Sequence, residues 1–366
     1  MNRRFHLLLA ATACALAVNA QNAAAQTVAV DHARIAENAL RGHIQPGYAK
    51  LTRALERLET TTQATCKQLT AAEIDVLKAA FTDAILAWGA IAHITFGPIR
   101  DSNRYERIFF WLDRKGIARR QVRRALRNTP DAYRSATTLG TRSIGVQGLS
   151  AYEQILVTGP FKPEAVDFVC AYAAAIAGNL KAIAQTVARA WADDGAFAKS
   201  WRSPSADNPV YLKPHETTFA LVKAYVENLE RVRDVELLRP LGFATRRRKL
   251  PGPYARSKQT MPFLAARISG LHDLILKSGV IAVAHKVAVA RNDPVSKQRL
   301  DQVGFELNFL TQRAQTLAQT PDFFASEKSR EAIALGFPLK AARELARAAL
   351  ADTLELPFGF NSADGD

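Results

Sequence analysis

Ser150 and Glu153 stand three residues apart in "QGLSAYEQIL", residues 147–156, so a helix here carries both on one face. A histidine at position 150 would make that spacing H-x-x-E, in which an imidazole and a carboxylate from adjacent turns grip a metal ion. Serine is a poor ligand for a transition metal, and a zinc site needs three or four converging His, Cys or carboxylate donors. Glu153 alone does not supply them. His32, His43, His93, His215, His272 and His285 are the histidines a fold would have to bring to it. Two of these have suggestive neighbours that fall short. "PHETTF" at 214–219 places Phe219 where H-E-x-x-H needs its second histidine, and "GLHDLI" at 270–275 places Ile275 where a glutamate would stand. There is no G-x-S-x-G elbow, phosphate-binding loop or dinucleotide fingerprint.

A second cluster lies upstream, in "FGPIRDSNRYERIFFWLD" at 96–113. Phe96, Gly97 and Pro98 spell a sharp turn. Arg107 and Trp111 are four residues apart, so a helix would let the guanidinium lie on the indole. Asp113, near the end of that helix, is placed either to hold Arg107 or to cap another segment. The same residues also suit a packed corner that fixes a helix crossing.

The elements that position these residues are helical throughout, and strand signals are almost absent. Residues 34–66 are amphipathic on either side of Pro46, which should interrupt the helix or start a new one. Thr70 and Glu73 form a capping box before an apolar stripe of Val76, Ala80, Ala84 and Trp88, stopped by Gly97 and Pro98. Residues 104–116 read as a short helix ended by Gly116, 118–128 as another, and 146–157 as a third ended by Gly159 and Pro160. A long helix is expected over 162–197. The stretch 200–214 is rich in Ser, Pro and Asn and reads as a linker. Further helices fill 216–242, 263–279, 295–318 and 328–355. The expected architecture is all-α: two antiparallel bundles side by side, 28–199 and 215–366.

Residues 1–25 read as an export signal. A basic start with Arg3 and Arg4 precedes an apolar run too short to span a bilayer comfortably, which takes about 20 residues. Ala23-Ala24-Ala25 offers a cleavage site, and Val18-Asn19-Ala20 another. A lipobox-like stretch ends at Cys14, with Ala11 where leucine is usual, so lipid anchoring is the lesser alternative. No later segment reads as apolar for long enough to cross a membrane. Beyond the signal two cysteines remain, Cys66 and Cys170, and an oxidising compartment is where they would form a disulfide. The alternative is two buried free thiols. Net charge is +15, or +13 once Arg3 and Arg4 are removed. Two dense basic runs, 117–127 and 246–249, suit phosphates or anionic lipids, or are solvated faces. No aromatic stacking pattern accompanies them, so nucleic acid is not the expected partner.

Several short motifs resemble, in order, those of the imelysin-like proteins: "HIQPGY" at 43–48, Cys66, Trp88, "FGP" at 96–98, "RIFFWLD" at 107–113, "YARSKQT" at 254–260 and "LPFGFNSADGD" at 356–366. "QGLSAYEQIL" falls where that family often has G-x-H-x-x-E. The resemblance implies an all-α, pseudo-duplicated fold with a groove between the halves, a periplasmic or surface location, and an association with uptake of iron or another metal. Some members are described as metallopeptidases whose motif His and Glu bind the metal. Gly148, Ser150 and Glu153 occupy those places here, so the histidine is missing, and Leu112 replaces a proline. The groove this implies is lined by Trp88, Phe96, Gly97, Pro98, Arg107 and Trp111, with Asp113, Gly148, Ser150, Glu153, Arg256 and Ser257 completing it. Glu153 would bind a cation or a polar ligand, or pair with an arginine such as Arg107 or Arg256, because a buried carboxylate needs a partner. The expected function is a non-enzymatic binding or accessory protein taking a small anionic ligand or metal chelate. It would work beside an outer-membrane receptor or permease. The rival is a metallopeptidase in which Glu153 holds a divalent metal, iron or another, with an unidentified second ligand.

Overall fold

The computed structural model describes residues 29–157, 166–243, 251–320 and 329–358. The segment 1–25 expected to be an export signal, with Cys14, the expected stop at Gly159 and Pro160, the basic run 246–249 and most of the closing motif 356–366 lie outside them. Among the described residues there is no strand.

Helix α1 (His32–Ala39) is capped by Asp31, whose carboxylate accepts the Arg34 N–H. A π-helical turn, Leu40–Ile44, carries the chain directly into α2 (Gln45–Lys67). Pro46 sits in the first turn of α2, just after that π-helical turn, and the helical path continues through it with a change of winding and no break. Helix α3 (Ala71–Gly89) begins with one half of the expected capping box: the Thr70 hydroxyl accepts the Glu73 N–H at 3.2 Å, while the Thr70 N–H donates to the Gln68 carbonyl at 3.0 Å. Its buried stripe is Leu77, Ala80, Phe81, Ala84, Ile85 and Trp88, whereas Val76 is 54% exposed. The expected stripe is therefore off by one residue at its first position. The helix also stops well before Gly97. Just beyond its end the Ala90 carbonyl meets Gly270 of a later helix, so closely that any Cβ there would collide with it.

Helices α4 (Arg104–Ile108), α5 (Ile117–Asn128), α6 (Ala136–Gly140), α7 (Leu149–Val157), α8 (Val166–Ala190) and α9 (Ala196–Arg202) complete the first half. Two expectations fail here. The helix expected over 104–116 ends at Ile108, because Phe109 leaves the helical region (φ −136°, ψ 83°) and residues 109–113 run as an irregular strap. The helix expected over 162–197 ends at Ala190, and α9 then reaches into the segment read as a linker. After it come α10 (Pro214–Glu230), a second π-helical stretch Arg231–Leu238, α11 (Arg239–Leu241) and α12 (Thr260–Ser278). Helices α13 (Val280–Ala290), α14 (Pro294–Ala318), α15 (Ser329–Ala334) and α16 (Gly336–Leu354) follow.

In the first half α2 packs between α3 and α8; in the second α14 packs against α12, α13 and α16. The halves share one core, since α1 lies on α10 and α12, and α3 on α12. The disulfide forms as expected, joining Cys66 on α2 to Cys170 on α8 with their Cα atoms 5.7 Å apart. Helix α8 corrects one expectation. It is long and apolar enough to cross a membrane, with a mean hydropathy of 1.4 over its most apolar window, but 61% of that window is buried. Its alanine-rich surface is what lets α2 and α7 approach it closely.

Where the halves meet, the π-helical His43 and the fully buried His93 share a hydrogen bond, Nε2 to Nε2, 2.8 Å long. Burial pushes both rings towards the neutral form, His43 down to about 4 from the usual 6.5. An unfolded chain takes up protons at both sites below 6.5 while the folded pair refuses them. Stability is thus expected to be full above pH 6.5 and to fall as the solution is acidified towards 4, beyond the loss from other groups. Urea midpoints measured across that window should fall less steeply in His43→Gln than in the native chain.

Candidate functional site

The strap 109–113 owes its position to packing. Phe109 stacks on Trp111, with ring centroids 6.1 Å apart, and touches Tyr254 and Phe263 at 5.5 and 5.4 Å. Three aromatic contacts outweigh one more helical turn, whose propensity is worth only tenths of a kcal/mol per residue. Asp113 ends the strap by capping α5, its Oδ1 accepting the Ile117 N–H at 2.7 Å. Of the two roles open to it in the sequence, it takes the cap.

Opposite the strap, α7 and the residues just before it are tied to α2 and α8. The Tyr152 hydroxyl meets the Thr62 hydroxyl of α2 at 2.6 Å. Tyr172 of α8 donates to the Val146 carbonyl at 2.6 Å, and Asn179 of α8 donates to Gln147 Oε1 at 2.8 Å. Gly148 begins the helix at φ +89°, where the Arg107 and Ile108 carbonyls would stand 2.6 and 2.9 Å from a Cβ. Only glycine fits there without moving the end of α4. Ser150 and Glu153 then emerge on one face of α7, as the spacing requires, and both face the cleft between strap and helix.

The third wall is residues 251–256, where Tyr254 takes a left-handed conformation (φ 52°). The following residue, Ser257, donates to Glu153 Oε1 twice, from its backbone N–H at 2.9 Å and its hydroxyl at 2.8 Å. Glu153 is 3% exposed. Burial raises its pKa above the usual 4.5, and the Ser257 bonds and the Arg256 charge only partly offset that. A carboxyl whose folded pKa is raised contributes its stability below the unfolded value and loses it as pH rises through the folded one. Glu153→Gln, which can still accept from Ser257, should therefore match or exceed native stability at neutral pH and gain nothing near pH 4. Glu153→Ala leaves the Ser257 N–H without its acceptor, while the hydroxyl keeps the Tyr254 carbonyl at 3.1 Å, and should cost about 1–3 kcal/mol. Denaturant midpoints at the two pH values check both.

The cleft encloses about 330 Å³. Its cations are Arg114, Lys115, Arg119 and Arg256, none of which has an ion-pair partner among the described residues. Its acids are Asp113, committed to the α5 cap, and Glu153, committed to Ser257. The donor set does not suit a metal ion. Ser257 presents hydrogens to Glu153, Ser150 offers a hydroxyl, and among the described residues no three His, Cys, Asp or Glu side chains converge anywhere.

Of the residues expected to form the groove, Trp111, Asp113, Ser150, Glu153 and Arg256 line this cleft, and Ser257 touches it through Glu153. The rest sit elsewhere. Trp88 is wholly buried against Tyr105. Phe96 stacks on Trp201, 5.4 Å away, and Gly97 and Pro98 turn the chain beside Trp191 and Phe197. Arg107 does not stack on Trp111, because the chain is no longer helical there. It donates instead to the Gly140 and Ser102 carbonyls and reaches Gln147. Glu153 thus has Arg256 as its charged neighbour and not Arg107.

Behind the strap lies a buried network that the sequence reading passed over. Glu236, on the second π-helical stretch, is 0% exposed and accepts from Arg231 at 2.9 Å and from the buried Arg267 at 3.1 Å. Arg267 also donates to Asn228 at 2.9 Å, and Arg231 reaches the Trp111 carbonyl of the cleft wall at 3.4 Å. The available signal was Arg267 itself, a cation at helical spacing within the apolar stripe of Leu264, Ile268 and Leu271.

The sequence pattern of the family described as Imelysin matches residues 44–354. The chain belongs to the imelysin family. No curated protein matches it. The crystal structure of an imelysin-like protein from Psychrobacter arcticum is similar, with a TM-score of 0.73 and 19% identity. That likeness covers 91% of this chain and 100% of the other. A second crystal structure, titled an iron-regulated protein A precursor, from Parabacteroides distasonis, matches with a TM-score of 0.63 and 9% identity. It covers 87% of this chain and 95% of that one. At these identities the likeness speaks for the fold, and the imelysin fold is all-α, as the helical periodicity required.

Proposed function

We propose that this imelysin is an exported binding protein, not a peptidase, whose cleft takes a small anionic ligand such as a carboxylate-bearing metal chelate in the service of iron acquisition. The observation that carries the reading is the state of Glu153. Two Ser257 donors hold it, burial biases it towards the neutral acid, and among the described residues it belongs to no group of three metal-binding side chains. Four cations line the cleft against two carboxyl groups, one bonded to the start of α5 and the other to Ser257, so the cleft favours a ligand that brings negative charge. The iron link is supported by the likeness in fold to the Parabacteroides distasonis protein, which is named for its regulation by iron. Export is supported by the character of residues 1–25 and by the disulfide, a bond that persists in oxidising compartments. An outer-membrane receptor or permease is the partner such a carrier would serve.

Thermal-shift screening tests the reading with citrate, ferric citrate, haem and iron(II) as probes. Stabilisation by the anionic chelates, and none by iron(II) alone, is expected. A response to no probe would leave the cleft without the ligand class argued here and would contradict the proposal.

A further inference from the structure

Helix α5 carries a charge pattern that the cleft does not use. At 100° per residue, Arg120, Arg123, Arg124 and Arg127 fall within about 100° of arc. All four are exposed. The buried Ala118, Val122 and Ala125 occupy the opposite side and dock the helix on α7 and on residues 144–146. None of the four arginines has an ion-pair partner among the described residues, and the helix carries no acid in its first turn. Like charges at i, i+4 repel, so this face works against its own helix. A second feature adjoins it. Arg123 and Arg127 flank a cleft of about 240 Å³ floored by Val122 and Leu126, with Gln154 at its inner end. Guanidinium groups on the rim of an aliphatic cleft match a phosphate joined to an apolar group. A plain polyanion would use the first feature and leave the second idle.

We propose that this face of α5 docks on an anionic phospholipid bilayer, with the arginines on lipid phosphates and the Val122–Leu126 cleft receiving apolar lipid. Helix α5 does not insert, because its apolar side is already buried in the protein. The interaction is peripheral, driven by charge and weakened by salt. It leaves Arg114, Lys115 and Arg256 of the first cleft free for the ligand, so it stands or falls separately from the ligand reading.

Vesicle co-sedimentation of the full chain tests it. The native protein is expected to bind phosphatidylcholine vesicles containing phosphatidylglycerol and not vesicles of phosphatidylcholine alone. Each basic side chain near such a surface contributes roughly a fivefold factor, so the Arg123→Gln/Arg124→Gln/Arg127→Gln variant should bind about a hundredfold more weakly. The charge-matched control Lys223→Gln/Lys297→Gln/Lys340→Gln, which changes exposed lysines on α10, α14 and α16, should bind nearly as the native chain does. Circular dichroism checks that both variants are folded. Equal binding to both kinds of vesicle, undiminished binding by the arginine variant, or an equal loss in the lysine control would each overturn the proposal.

Discussion

Replacing Glu236 with alanine is expected to cost about 3–5 kcal/mol, the penalty for stripping one partner from a buried ion pair. The magnitude follows from where the charges sit. Glu236 is 0% exposed and Arg267 is 1% exposed, so neither guanidinium nor carboxylate has water to fall back on. Losing the carboxylate leaves Arg267 with only Asn228, at 2.9 Å, and removes the anchor that Arg231 uses while reaching the Trp111 carbonyl. The cleft wall should therefore loosen along with the core. A double variant, Glu236→Leu/Arg267→Met, removes the two fully buried charges at similar volume and should recover part of the loss, the remainder being the cost to Arg231, which is 34% exposed and can turn to water. Denaturant midpoints for the two variants provide the check. A Glu236→Ala chain within about 1 kcal/mol of the native one would mean that water reaches this network.

Loss of the Cys66–Cys170 disulfide is the second large expected effect. The bond spans a sequence separation of 104, and closing a loop of that length is worth about 4–5 kcal/mol if the whole benefit is chain entropy. It also ties the end of α2 to the first turns of α8, and these two helices form the principal contact of the first half. Cys66→Ser/Cys170→Ser should unfold at a distinctly lower denaturant concentration. Adding a thiol reductant should lower the native midpoint towards that of the variant and leave the variant unmoved. Coinciding midpoints for native and variant chains without reductant would contradict the expectation.

What could be read from the sequence was what local chemistry decides. The Thr70 cap on the Glu73 N–H, the α7 helix with Ser150 and Glu153 on one face, and the all-helical class follow from spacing alone. What could not be read was decided by contacts between distant segments. The strap 109–113 carries no Gly or Pro to announce it. It leaves the helix because Phe109 finds Tyr254 and Phe263, residues well over a hundred positions away. Trp88, Phe96, Gly97 and Pro98 were assigned to the groove on motif resemblance, yet they serve the packing around Tyr105, Trp191 and Trp201. The two π-helical stretches have no sequence signature, although one supplies His43 and the other Glu236 to the buried junction between the halves.

The most direct test of the central claim, that the cleft at Glu153 binds an anion and does not build a metal catalyst, is calorimetric titration of the native chain and of Arg256→Gln with ferric citrate. Saturable binding at a single site is predicted, weakened about tenfold in the variant by the loss of one charge-assisted contact worth roughly 1.5 kcal/mol. No heat of binding, or identical affinities in the two proteins, would contradict the account. So would zinc-dependent cleavage of an unstructured substrate by the same native preparation if Glu153→Ala abolished it.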